Sequence, residues 1–158
     1  MGVAQARRAA RTLAGLPRFT TIIASPLVRA RRTAEIAAEA LGLPVQLDPD
    51  LQEVNFGDQE GLPMGDWYDD WIAATYTPEG AETFLQLRDR TVAGINRAVT
   101  KPGPVLVVAH GALFRALRLE AGLEPNVRTP NALPLLMTPP APGGASWTIT
   151  PATLAPEE

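Results

Sequence analysis

The pattern of hydrophobic and polar residues along the chain predicts alternating helices and strands. The first helix carries its apolar residues on one face, at positions Val3, Ala6, Ala10, Leu13 and Ala14. A run rich in β-branched residues at 19–24 predicts a strand. Ser25 and Pro26 suit the N-cap and the first position of a helix, so a second helix is expected from here to about Leu41. Residues 44–48 predict a second, parallel strand.

The second half of the chain continues this alternation. A long helix is expected over 78–99, and the apolar run at 105–109 predicts a strand that is buried on both faces of a parallel sheet. Residues 112–121 predict the helix that follows it. The last two strands, at 132–137 and 146–150, are expected to form an antiparallel edge pair. Together these elements predict an α/β three-layer sandwich with a mostly parallel sheet and helices on both faces.

Length, charge and composition narrow the class of protein. The chain has 158 residues, which suits one domain over 1–150 with a short tail at 151–158. Its net charge is −3 without a basic stripe, so neither nucleic acid nor a membrane surface is an expected partner. With no cysteine and one histidine, the sequence excludes disulfides and thiolate or imidazole-rich metal sites. In the absence of a signal peptide or a long apolar run, we expect a cytoplasmic protein.

The one histidine, His110, ends the predicted strand at 105–109 and precedes a predicted helix. Ligands of open α/β sheets bind at such turns, where free N–H groups of helix N-termini favour anions. Arg29, in the first turn of the second helix, could join the same oxyanion. The alternatives are a histidine satisfied in the core and an exposed surface arginine; we prefer the surface interpretation for Arg31 and Arg32.

Between the second strand and the long helix, the sequence is irregular. Residues 51–61 mix acids, glycines and single apolar residues, which is typical of a loop that lies over a site. Residues 57–79 form a predicted flap whose short helix contains Trp67, Tyr68 and Trp71. These aromatic residues have two interpretations, as a packing face or as a substrate-facing wall, and the sequence does not decide between them.

Four segments resemble successive signatures of the histidine phosphatase (phosphoglycerate mutase-like) superfamily. They are S-P-L-V-R-A-R-R-T-A at 25–34, L-x-E-x-x-F-G-x-x-E-G at 51–61, G-A-E-T at 80–83 and V-A-H-G within 107–111. They occur in the family's order and spacing, and the resemblance covers residues 2 to about 150. It implies phosphoryl transfer through a phosphohistidine, without a cofactor.

The resemblance also implies roles for individual residues. Arg29 and His110 would hold the phosphate, with Ser25 and Gly111 beside them, and Glu53 would protonate the leaving oxygen. The predicted substrate-binding residues are Glu82, Trp67 and Asn131, although Ala81 and Thr83 depart from the family's Gly-Glu-Ser pattern.

One departure from the family pattern affects both the fold and the chemistry. Members of the family begin with a central strand that ends in Arg-His-Gly and supplies the nucleophilic histidine, and this sequence has no such segment. We therefore expect the first central strand to be missing, with the chain truncated at its N-terminus and inactive by itself. A swapped strand from a second copy, which would make a homodimer, is one way to close the sheet.

Length and composition leave several functions open. A short flap favours a small phosphomonoesterase over a phosphoglycerate mutase-type phosphotransferase. A non-catalytic relative that binds a phosphorylated ligand is the second alternative. A nucleotide-binding domain has little support, because neither a G-x-G-x-x-G nor a G-x-x-x-x-G-K-[ST] run is present.

Overall fold

The computed structural model describes residues 2–15, 19–101, 103–128, 134–138 and 148–151. The helices in these ranges are α1 (Gly2–Ala14), α2 (Val28–Leu41), α3 (Trp67–Ile72), α4 (Phe84–Ala98) and α5 (Gly111–Glu120). The strands are β1 (Thr21–Ala24), β2 (Val45–Leu47), β3 (Val105–Val108), β4 (Leu135–Thr138) and β5 (Thr148–Pro151). Two 3-10 helices, Pro49–Leu51 and Gly57–Gln59, lie in the irregular segment. The predicted alternation of helices and strands is confirmed.

The main sheet is parallel and has the strand order β2-β1-β3. Ile22 of β1 is in register with Val45 on one side and with Leu106 on the other. Strands β4 and β5 form a separate antiparallel pair, as the sequence predicts. The α/β fold class is therefore confirmed.

Helices cover both faces of the sheet because successive side chains of a strand point in opposite directions. Ile22 and Ala24 pack with Ala34 of α2, and α1 packs against α2. Ile23 faces the other way, into a larger core that contains Phe84 of α4 and Leu113 of α5. This arrangement gives the predicted three layers.

Strand β3 differs from its prediction in burial. Its pairing with β1 is parallel, as expected, but all four of its residues are only half-buried. Among the described residues, no strand pairs with the other edge of β3. The prediction of burial on both faces is wrong, because a strand at the edge leaves one side of its backbone and side chains uncovered.

Helix α2 begins later than the sequence indicates. Its N-cap is Leu27, which has no capping side chain, and the Ser25 hydroxyl accepts a hydrogen bond from the Leu27 N–H at 3.2 Å. Ser25 therefore stabilises the turn between β1 and α2 and does not cap the helix. The helix ends at Leu41, as predicted, and its C-cap Gly42 has a left-handed φ of +68°.

No helix in the described part of the chain has both the length and the apolar character needed to cross a bilayer.

Two segments of the irregular region cross at Gly57. The Asp58 N–H donates to the Glu79 carbonyl at 3.0 Å, so the backbones touch. Gly57 has a φ of +58°, and a Cβ added there would overlap the Glu79 carbonyl oxygen. Only a residue without a side chain allows this approach.

Replacing Gly57 with alanine is expected to destabilise the protein by about 3 kcal/mol or more, since left-handed strain adds to the overlap. Gly61→Ala is the matched control: Gly61 has a φ of +80° but nothing within 4 Å of its added Cβ. That variant should lose about 1–2 kcal/mol. Urea unfolding measures both, and equal losses would show that the crossing is not tight.

Candidate active site

The site lies where the three parallel strands end. Ser25 follows β1, Glu53 follows β2 through the first 3-10 helix, and His110 follows β3. Since parallel strands present their carboxyl ends at one edge of a sheet, these residues come together although they are far apart in sequence. A cavity of about 820 Å³ opens at this edge, and Arg29, Glu53 and His110 are on its wall.

His110 is the N-cap residue of α5 and is half-buried. Its Nε2 lies 2.8 Å from Ser25 Oγ, and Ser25 is fully buried. Burial lowers the pKa of His110, and the positive charges of Arg29 and Arg90 lower it further. Burial and both charges therefore favour the neutral imidazole.

The pKa of Glu53 shifts in the opposite direction from that of His110, and burial is the main cause of both shifts. Burial raises the pKa of its carboxyl, and this outweighs hydrogen bonds from the backbone N–H groups of Val54 at 3.1 Å and Ala112 at 3.4 Å. The charges of Arg90 and Arg115 lower the pKa of Glu53 less than burial raises it. A carboxyl that keeps its proton closer to neutral pH is suited to protonate a leaving group.

Arg29 lines the polar end of the cavity, whereas Gly111 is not on the cavity wall. Arg29 is exposed in the first turn of α2, and no acceptor in the described ranges pairs with its guanidinium. Gly111 is the exposed first residue of α5, next to His110. The cation and the amino ends of two helices therefore face one space that suits an anion.

Glu82 lies apart from this cavity. Its carboxylate accepts two hydrogen bonds from Arg90, from Nε at 3.0 Å and from Nη2 at 2.8 Å. Arg90 Nη1 also donates to the carbonyl oxygens of Asp50 and Gln52, both at 2.7 Å. Arg90 thus fixes the backbone that leads into Glu53, and the structure gives Glu82 a supporting place behind the loop.

The aromatic residues of the flap form a packed cluster. Trp71 is fully buried, and its indole N–H donates to the Glu82 carbonyl at 2.9 Å. The ring centroid of Phe56 is 4.9 Å from that of Trp71 and 5.2 Å from that of Trp67. Trp67 is half-buried in this cluster and is not on the cavity wall. These contacts favour the packing interpretation. Asn131 lies outside the described residues.

Sequence reasoning missed two residues of this region. In the sequence, Arg90 resembles any polar residue of a helix. Its position on the half-buried side of α4 is the feature that distinguishes it. Arg32 is exposed, as the surface interpretation predicts, but it also lines the cavity one helical turn after Arg29. Residues three apart on a helix lie on the same face, so the spacing between Arg29 and Arg32 could have indicated that both border the cavity.

Replacing Arg90 with methionine is expected to destabilise the protein by about 2–4 kcal/mol, because a partly buried carboxylate and two carbonyls lose their donor. Arg88→Met is the control, since Arg88 pairs only with its neighbour Asp89 in the described structure. That change should cost less than about 0.5 kcal/mol. Denaturant unfolding compares them, and a similar loss in both variants would contradict the role of Arg90.

The pKa of His110 is measurable by proton NMR without assignment, because the sequence contains one histidine. We expect it below 6.5, and we expect Arg29→Gln to raise it while Arg31→Gln leaves it unchanged. Because the unfolded state then binds more protons than the folded state, stability should fall as pH falls through about 6.5. A pKa at or above 6.5 in the unmodified protein would exclude a buried, neutral imidazole.

Comparisons with known proteins identify relatives of this chain. The sequence model of the histidine phosphatase superfamily (branch 1) matches residues 1–132. The uncharacterized phosphatase PhoE of Bacillus subtilis is 38% identical over 112 residues, which cover 68% of this chain and 56% of PhoE. A 2,3-bisphosphoglycerate-dependent phosphoglycerate mutase of Methylobacterium is 35% identical over 134 residues, 74% of this chain and 64% of the mutase.

A solved structure is similar over nearly the whole chain. The native structure of a mycobacterial glucosyl-3-phosphoglycerate phosphatase superposes with a TM-score of 0.79 and 26% identity, covering 96% of this chain and 84% of that one. The chain spans less than two thirds of the length of the two curated relatives. The resemblance seen in the four sequence signatures is confirmed, and the chain belongs to the histidine phosphatase superfamily.

Proposed function

We propose that the protein is a phosphomonoester hydrolase that acts through a phosphohistidine on a small phosphorylated metabolite. The observation that carries this proposal is the meeting of Arg29, His110 and Glu53 on one cavity wall. A cation, a neutral imidazole and a carboxyl with a raised pKa are groups suited to binding and cleaving a phosphate ester. We place this activity in the cytoplasm, and we expect neither nucleic acid nor membrane as a partner.

Each residue has a defined task in this reaction. Arg29 and the helix N-termini beside His110 and Gly111 hold the equatorial phosphate oxygens. When the bond from phosphorus to the ester oxygen breaks, Glu53 gives its proton to that oxygen, and it later takes a proton from the attacking water. Ser25 holds the His110 ring at its Nε2. A bound phosphate dianion should raise the pKa of His110, because an opposite charge favours the protonated form.

The covalent step needs a second histidine, since in this assignment His110 stabilises the phosphate and does not attack it. The sequence contains only His110. We therefore propose that the chain of this sequence binds phosphate esters by itself without turning them over. The same observation supports a second candidate, a non-catalytic protein that recognises a phosphorylated ligand. A homodimer and a mutase-type transfer stay predictions without an observation that favours them.

Phosphate binding by the chain tests what both candidates share. Inorganic phosphate at ten times its Kd should stabilise the folded chain by about 1.4 kcal/mol. It should also move the His110 resonance toward a higher pKa. Arg29→Gln and His110→Ala should each remove most of the stabilisation, whereas Arg31→Gln should keep it. If millimolar phosphate has no effect on stability or on the His110 titration, both candidates are contradicted.

Hydrolysis of p-nitrophenyl phosphate separates the two candidates. The natural protein, purified from the cells that produce it, should hydrolyse this ester, and His110→Ala should lower its kcat by about two orders of magnitude or more. Glu53→Gln should slow alkyl phosphates far more than p-nitrophenyl phosphate, whose leaving group needs little protonation. Phosphate binding without turnover in the natural protein would support the non-catalytic candidate, and turnover indifferent to His110 would rule out the proposed site.

A further inference from the structure

We propose that Arg115 of α5 is a positioning residue of the active site. Its charge stabilises the carboxylate of Glu53 and so lets this group take back a proton after it has given one away. The inference rests on the proposed function, because it takes Glu53 as the acid. It adds a residue that lies outside the four sequence signatures.

The Arg115 side chain is held between two helices. A Cβ added to Gly111, one turn earlier in α5, would lie 3.7 Å from Nη1 of Arg115. The guanidinium carbon lies 5.3 Å from the centroid of the Tyr68 ring in α3, which is a cation–π contact. The Tyr68 ring is in turn 5.6 Å from that of the fully buried Trp71. Packing therefore fixes the guanidinium beside the first turn of α5.

Arg115 has no acceptor in the ranges that the structure describes. Its Nε is buried and donates no hydrogen bond there, and the guanidinium forms no ion pair with a described carboxylate. Arg90, in contrast, is paired with Glu82 and donates to two carbonyl oxygens. A buried donor without an acceptor costs folding free energy, so hydrogen bonding does not explain the place of Arg115. Its positive charge remains available to act on its surroundings.

The Glu53 carboxyl approaches the same turn of α5. Its Oε2 accepts from the Ala112 N–H at 3.4 Å, directly after the Gly111 that Arg115 approaches. Glu53 is on the cavity wall and Arg115 is not. Arg115 therefore acts on a ligand in the cavity through Glu53 and not by touching the ligand.

Charged and titratable groups face Glu53 from three helices and from its own loop. They are Arg90 of α4, Arg115 of α5 with His110 at its amino end, Tyr68 of α3, and Glu60 of the loop. Burial raises the pKa of Glu53, and the charges of Arg90 and Arg115 lower it. Of these two arginines, Arg115 is the one without a paired carboxylate in the described structure.

These opposed contributions suit a group that must work in both directions. When the ester bond breaks, Glu53 gives its proton to the leaving oxygen and becomes a carboxylate, which the positive charge of Arg115 stabilises. The carboxylate later takes a proton from the attacking water and returns to its first state. Without Arg115, the buried carboxylate would be less stable, and the acid would release its proton less readily.

Titration of the Glu53 carboxyl by carbon NMR tests the inference in the chain of this sequence, with Glu53→Gln identifying its resonance. Arg115→Met should raise the pKa of Glu53, because it removes a positive charge. Arg118→Met is the control: Arg118 is on the same helix, but its Nε donates to the Glu124 carbonyl at 2.7 Å. That variant should leave the pKa of Glu53 unchanged.

Two further readouts separate a charge effect from a structural one. Arg115→Lys should restore the lower pKa of Glu53, because an ammonium group keeps the charge and can bind the Tyr68 ring. The pKa of His110 should stay the same in Arg115→Met, since the charges that lower it are those of Arg29 and Arg90. An unchanged pKa of Glu53 in Arg115→Met, or an equal rise in Arg118→Met, would overturn the role of Arg115 and leave the proposed function intact.

The pH dependence of hydrolysis by the natural protein connects this role to the reaction. With ethyl phosphate, whose leaving group needs a proton, kcat should fall as pH rises through the pKa of Glu53. In Arg115→Met this fall should move to higher pH, and in Arg118→Met it should not move. A pKa of Glu53 that rises while the pH profile stays, or a natural protein that does not hydrolyse the ester, would contradict the hydrolase proposal and the inference together.

Discussion

The parallel pairing of β1 with both of its neighbours is the constraint on which the site depends. It brings the residues after three separate strands to one edge, although Ser25 and His110 are 85 positions apart in the sequence. The burial of all four residues of β1 shows how firmly that strand is held between its two helical layers. A strand in antiparallel order would send its following residues to the opposite edge, and the cavity would lose that contribution.

Burial then sets the chemistry of the residues collected there. The same loss of water lowers the pKa of His110 and raises that of Glu53, because in each case it disfavours the charged form. Both groups are thereby displaced toward their neutral states. The cationic character of the cavity in the described structure comes from Arg29 and Arg32. An acid and an imidazole can share a small space in this way without forming an ion pair that would block a ligand.

The fold and the core of the site could be predicted from the sequence because they depend on local signals. Strand runs followed by helix starts indicate the parallel sheet, and these same junctions contain Arg29 and His110. The apolar residues of α4 do not by themselves indicate its buried face: Thr91 and Gly94 are buried, whereas Val92 is half-buried and Val99 is exposed. Gly94 is chosen by close packing, since an added Cβ would lie 3.2 Å from the Leu51 side chain. Arg90, the partner of Glu82, also binds the carbonyl oxygens of Asp50 and Gln52 in the loop at 50–52. Sequence spacing does not predict a contact between residues so far apart in the chain.

The contacts of Arg90 make helix α3 and Glu53 parts of one rigid unit. A continuous path of hydrogen bonds runs from the Trp71 indole to Glu82, from Glu82 to Arg90, and from Arg90 to the Gln52 carbonyl. A ligand that displaced the aromatic cluster would therefore also turn the backbone that aims the carboxyl of Glu53. In this architecture, the packing of the aromatic cluster and the orientation of the Glu53 carboxyl depend on each other.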